Sequence, residues 1–121
     1  MDKLSAADLT IEVAQLGPSE PIRCSWLGKS QDRSPATILA PWFEKLLVEA
    51  KQAAAPVEMH FERLEHFNSS TITALIRLIQ NARNAGVQLL MVYDQNLKWQ
   101  RLSFDALRVF ARDDLLELRS A

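Results

Sequence analysis

Between Val57 and Tyr93 the hydrophobic pattern changes period twice. Val57, Met59 and Phe61 alternate with Glu58, His60 and Glu62, the period-2 signature of a strand with one buried face. Ile72, Leu75, Ile76 and Ile79 then recur at helical spacing, with Thr73, Arg77, Gln80, Asn81 and Asn84 on the opposite side. Gly86 is a C-terminal stop for that helix. The run "VQLLMVY", Val87 to Tyr93, is apolar on both faces apart from Gln88, which predicts an inner strand covered on both sides. A strand, a helix and a strand in succession require a crossover, and a crossover returns the second strand parallel to the first. That arrangement confines the chain to an α/β architecture.

Upstream, Leu9, Ile11 and Val13 alternate with polar or small residues, and Ile22, Cys24 and Trp26 do the same beyond the turn-forming "GPSEP". Residues 9 to 27 therefore read as a hairpin of two strands. Ser34-Pro35 has the N-cap then N1-proline order that opens a helix, and Ile38, Leu39, Trp42, Phe43, Leu46 and Ala50 continue it. Pro41 either kinks this helix or is the first residue after a short preliminary turn. Trp99, Leu102, Phe104, Leu107, Val109 and Phe110 predict a last helix trailing into "ARDDLLELRSA". The predicted order is ββαβαβα, a mixed four-stranded or five-stranded sheet packed with helices in one domain over residues 1–121.

Composition narrows the function classes. The 14 basic and 15 acidic residues leave a net charge of -1, without the basic excess or stripe of a nucleic-acid binder. No apolar run approaches the roughly 20 residues that span a bilayer, so no membrane insertion is expected. The opening "MDKLSAADLT" lacks the apolar stretch of a signal peptide. The single cysteine, Cys24, fits a reducing compartment, and a cytoplasmic location is expected. A protein or a small ligand is left as the default partner.

The residues that invite a functional reading lie in "HFNSSTI", His66 to Ile72. Asn68 or Ser69 suits a helix N-cap, because the side-chain oxygen accepts a bond from a first-turn N–H. A cap accounts for one residue, not for Asn-Ser-Ser-Thr in a row at the C-terminal edge of a sheet, where ligands and partners meet open α/β proteins. A hydroxyl there faces the positive end of the helix dipole, and a phosphate attached to it would add nearly two negative charges to a recognition surface.

In its order, a turn-rich stretch, a helix, a strand, a Ser/Thr cluster opening a second helix, a Gly and a strand, the chain resembles the STAS-type fold of bacterial anti-sigma-factor antagonists. Those proteins carry an Asp-Ser-Ser-Gly run whose first Ser is phosphorylated by a partner kinase; here Asn68 replaces the Asp and Thr71 the Gly. The stretch "LGKSQDRSP…WFEKLL…VEMHFERLEHFNSSTITALIRLI" is similar to the SiaC-type regulatory phosphoproteins. These carry a Gly-x-Ser loop before the first helix and a Phe-Asn-(Ser/Thr)-Ser run after a strand. The resemblance implies a non-enzymatic partner-switching protein, with no cofactor, acted on by a kinase and a phosphatase. Its unmodified form would bind an effector, a diguanylate cyclase or an anti-sigma factor. By position Ser69 matches the phosphoacceptor, with Ser70 the fallback. Ser30, Asp32, Arg33, Asn68, Ser69, Ser70 and Thr71 would border the partner-binding face. The alternative is an adaptor that is never phosphorylated, such as the STAS-like component of a lipid-transport or envelope assembly.

Other clusters suggest less. Gly28-Lys29-Ser30 lacks the earlier glycine and spacing of a P-loop. Glu58, His60 and Glu62 share a strand face and suit a metal or acid–base role in principle, but a solvated sheet face explains them and no metal or catalytic residue is assigned. Cys24 reads as a buried small hydrophobe, and His66 as a loop residue. Trp99, beside Lys98 and Arg101, reads as packing or as part of a docking patch.

Overall fold

In the computed structural model, which describes residues Met1 to Ala121, seven strands and three α-helices form one mixed sheet with its helical cover. The strands are β1 (Leu4–Ala6), β2 (Leu9–Ala14), β3 (Ile22–Ser30), β4 (Val57–His60), β5 (Leu64–Phe67), β6 (Leu89–Tyr93) and β7 (Leu116–Ser120). The helices are α1 (Pro35–Ala53), α2 (Ser69–Ala85) and α3 (Lys98–Leu107), the last running into a 3-10 turn at Arg108–Phe110. The α/β class and the order of the predicted elements hold, and three strands, β1, β5 and β7, are additional to them.

The strand order is β1-β2-β3-β4-β6-β7, with β5 paired to the C-terminal part of β3. β1, β2 and β3 are antiparallel, whereas β3, β4, β6 and β7 run parallel. Each step from β3 to β4 to β6 to β7 moves the same way across the sheet. Right-handed crossovers along such a path put α1, α2 and α3 on one face. Burial agrees: Ile22, Cys24, Trp26, Val57, Met59, Leu89, Met91 and Tyr93 are buried with the inner faces of the helices in one cluster of 29 residues. The positions between them, Arg23, Ser25, Glu58 and His60, are exposed or half-buried.

β6 departs from the predicted two-sided cover. Its Leu90 is half-buried, and Val92 is buried in register between His60 and Arg119 rather than beneath a helix. Neighbouring strands, not a second helical layer, shield that side chain.

Aromatic packing joins the layers. Trp26 lies 4.9 Å from Phe61 and 6.2 Å from Phe43 of α1. Phe104 of α3 stacks on Tyr93 at 4.9 Å. The buried Trp26 indole donates to the Met59 thioether at 3.3 Å, a weak acceptor that still satisfies the N–H. Helix α1 runs unbroken through Pro41. The carbonyl that proline deprives of a donor is that of Thr37, an exposed residue open to solvent. Gly86 takes a left-handed conformation (φ 71°), and its N–H closes α2 onto Ala82 and Arg83.

Candidate functional site: the start of the second helix

The C-terminal ends of β3 and β5 lie side by side, with Ser30 in register with Phe67. Helix α1 begins five residues beyond Ser30 and α2 two residues beyond Phe67, so both helix starts meet at one rim of the sheet. Asn68 caps α2: its Oδ1 accepts from the Thr71 N–H at 2.9 Å and from the Thr71 hydroxyl at 2.8 Å. Its Nδ2 donates to the Asp32 carbonyl at 2.9 Å. An aspartate would cap the helix equally well but has no donor for Asp32. The amide therefore does what a carboxylate cannot, tying the β3–α1 loop to the start of α2.

Thr71 has a single hydroxyl proton, which has acceptors in Asn68 Oδ1 at 2.8 Å and the Ser30 carbonyl at 3.3 Å. The Ser30 hydroxyl is therefore assigned as the donor in the 2.8 Å contact between Ser30 Oγ and Thr71 Oγ1. Both residues are buried, Ser30 at 3% and Thr71 at 0% relative exposure. This corrects the expectation that they border a recognition face. Their hydroxyls are consumed in an internal relay, Ser30 to Thr71 to Asn68, and Ser30 belongs to β3 rather than to a loop.

The remaining predicted residues sit on or near the surface. Asp32 and Arg33 are exposed, and Asp32 also accepts from the Ser34 N–H at 2.9 Å to shape the turn into α1. Ser69 is the first residue of α2 and is exposed; Ser70 behind it is half-buried. The Ser69 Oγ takes no part in the bonds that fix Asn68 and Thr71. Its backbone N–H and that of Ser70 open the helix, where first-turn amides have no intrahelical acceptor. Of the four consecutive polar residues, then, two hold the helix start in place and the first serine faces water.

Beside this rim a cavity of about 190 Å³ is lined by Ala7, Asp8, Lys29, Ser30, Asp32 and Ile38, among others. Its wall depends on Gly28, whose positive φ of 85° lets the β1–β2 turn approach closely enough for Lys29 N–H to reach the Asp8 carbonyl at 3.0 Å. The signal in the sequence was the glycine at the end of an alternating run.

No protein-family model matches the chain, and no curated protein does. Among solved structures, the crystal structure of the diguanylate cyclase SiaD in complex with its activator SiaC from Pseudomonas aeruginosa contains a matching chain. The match covers 98% of each chain with a TM-score of 0.63 and 18% sequence identity. The two chains share a fold. At that identity the likeness is one of backbone path, and the roles of individual residues rest on the geometry above.

The other clusters separate from this rim. Glu58 and His60 stand on the open sheet face, whereas β4 ends at His60 and Glu62 lies in the turn beyond it, so the three do not share a strand. His60 lies between the carboxylates, Nε2 at 3.0 Å from Glu58 and Nδ1 at 3.2 Å from Glu62. The two acids occupy opposite sides of the ring instead of converging on a common point. Arg23 adds an ion pair to Glu58 at 3.7 Å. Cys24 is fully buried, and burial pushes its thiol up to about 12. His66 is an exposed residue of β5, not of a loop, because β5 continues the ladder along β3 past β4. Trp99 packs 5.0 Å from Phe67 and 6.0 Å from His66, which fastens α3 to the strand that leads into the cap.

One residue went unmarked in the sequence. Gln100, in α3 and 0% exposed, donates to the Phe61 carbonyl at 2.6 Å and accepts from the Asp94 N–H at 2.8 Å. A buried amide within a helical stripe carries no periodic signal that marks it as a fastening point.

Proposed function

We propose that this chain is a non-enzymatic, protein-binding regulator controlled by phosphorylation of Ser69. The observation that carries the reading is the division of labour within Asn68–Thr71. Asn68 and Thr71 are spent on holding the helix start, while the adjoining Ser69 hydroxyl is solvent-facing on a rigid support. Ser70, half-buried, is the less accessible acceptor and the fallback.

In the unmodified state a partner would grip the rim formed by Asp32, Arg33 and Ser69. A phosphate on Ser69 introduces nearly two negative charges where the partner meets a neutral alcohol. Burying a mismatched charge at an interface costs several kcal/mol, and about 2.7 kcal/mol is already a hundredfold in affinity. Phosphorylation thus releases the partner, and a phosphatase restores binding. The shared fold with a chain from a complex between a diguanylate cyclase and its activator supports a diguanylate cyclase as the effector, ahead of an anti-sigma factor. A kinase drawing on ATP places the cycle in the cytoplasm.

The test is to incubate the full chain with ATP and the serine/threonine kinases of the same organism, then map modified residues by mass spectrometry. Quantitative phosphorylation at Ser69, abolished by Ser69→Ala, is the expected result. A chain left unmodified, or modified only at sites away from residues 69 and 70, overturns the switch in favour of a constitutive adaptor.

A further inference from the structure

Strand β7 is paired on one side only, with β6, and ends the sheet. Its ladder to β6 includes Leu89 N–H to the Leu115 carbonyl at 2.8 Å and Ala121 N–H to the Tyr93 carbonyl at 2.7 Å. Backbone groups along a strand alternate in direction, so residues 115, 117, 119 and 121 face β6. The N–H and C=O groups of Leu116, Leu118 and Ser120 therefore point outward, unpaired, along the free edge.

The side chains on this edge have a self-complementary order. Glu117 and Arg119 are exposed on the open face of the sheet, and in the single chain they pair with each other at 2.6 Å. Leu118, between them, is half-buried on the helical side, packed against the core. Charged residues on an edge strand normally block pairing with other strands. Here the signs alternate, and the block has an exception, which is the same strand running the other way.

We infer that β7 pairs antiparallel with β7 of a second copy of this chain about a two-fold axis at Leu118, extending the sheet across a dimer. In that register Leu118 meets Leu118 of the second copy as a hydrogen-bonded pair, and Leu116 meets Ser120. These are the residues whose backbone groups face outward. Glu117 then lies opposite Arg119, and Arg119 opposite Glu117, in the non-hydrogen-bonded positions where side chains approach most closely. Sliding the pairing by one hydrogen-bonded step in either direction places Glu117 against Glu117 or Arg119 against Arg119, which like-charge repulsion disfavours. The isologous arrangement satisfies both charges twice and leaves no further edge on that side. The opposite edge, β1, offers only the three uncharged residues Leu4–Ala6 and no comparable match.

Sedimentation equilibrium of the full chain over a wide concentration range tests the pairing. The wild-type chain is expected to dimerise, and Glu117→Arg and Arg119→Glu each to weaken the dimer by at least about tenfold, since each places like charges opposite one another twice. The exchanged double variant, Glu117→Arg with Arg119→Glu, is expected to return to wild-type affinity, and an equimolar mixture of the two single variants to form a mixed dimer. These exposed substitutions leave the ladder to β6 intact, and circular dichroism checks that each variant is folded. A wild-type chain that stays monomeric at every concentration overturns the inference. So does a dimer whose affinity ignores both charge reversals, or one that the exchange fails to restore. The result is independent of whether Ser69 is phosphorylated.

Discussion

The Ser30 hydroxyl donates to Thr71 across 2.8 Å in the buried interior, linking residues 41 positions apart in the chain. Removing the threonine hydroxyl leaves Ser30 without its acceptor and takes one of the two donors from Asn68 Oδ1. Thr71→Val keeps the shape and is expected to cost about 1–3 kcal/mol in urea unfolding, the range for an unsatisfied buried polar group. Ser30→Ala with Thr71→Val should cost less than the sum of the two single changes, because it removes both ends of one bond. Additive losses would show that the two hydroxyls are not coupled.

Asn68→Asp separates the two duties of the cap. The carboxylate still accepts from the Thr71 N–H, so α2 is expected to stay helical. The donor to the Asp32 carbonyl is lost, and faster amide exchange is expected over Asp32–Ser34. Asn68→Ala removes both functions and is expected to cost about 1 kcal/mol more through the missing cap. Equal exchange rates in the loop for wild type and Asn68→Asp would contradict the tie.

Gln100→Leu is expected to be among the costlier single changes. It leaves the half-buried Asp94 N–H without its acceptor and takes one of two donors from the Phe61 carbonyl, which keeps the Leu64 N–H at 2.9 Å. A loss of about 1–3 kcal/mol follows from the unpaired amide. A variant as stable as wild type in denaturant titration would show that water takes over both bonds.

Two titratable groups have shifts whose signs can be checked. Burial raises the Cys24 thiol from 9.0 to about 12, so between those values the unfolded chain releases a proton that the folded chain keeps. The thiol's contribution to stability is full below pH 9.0 and is lost as pH rises toward 12. Reaction with a thiol reagent at pH 8 is expected to be slow until denaturant is added. Asp113 moves the other way, lowered from 3.8 chiefly by its hydrogen bond from Arg83 and then by the Leu115 N–H. Its contribution is present above 3.8 and is lost as pH falls through the depressed value. Asp113→Asn should therefore be less stable than wild type near neutrality, with the difference shrinking in acid.

Where one period was sustained, the fold was legible. The βαβ unit from Val57 to Tyr93, the hairpin and the Gly86 stop all follow from side chains that must share a face. β5 was hidden because Leu64 and Phe67 are buried with two exposed residues between them, a pattern of neither period, beside an irregularity in its pairing with β3. β1 is three residues long, too short for any period. β7 did carry a signal, since Leu116 and Leu118 alternate with Glu117 and Arg119, but it lay in a stretch assigned to the tail of the last helix. At the rim, the Asn-Ser-Ser-Thr run marked the place. It did not separate inside from outside, because Ser30 and Thr71 have the same chemistry as Ser69 and differ only in tertiary position.

The central claim is that the charge state of one exposed side chain decides whether a partner is held. The most direct measurement is a calorimetric titration of a diguanylate cyclase from the same organism, the proposed effector, with two forms of the chain, unmodified and carrying phosphoserine at position 69. Binding by the unmodified form, weakened by about a hundredfold or more in the phosphorylated one, is the predicted result. Equal affinities for the two forms would contradict it.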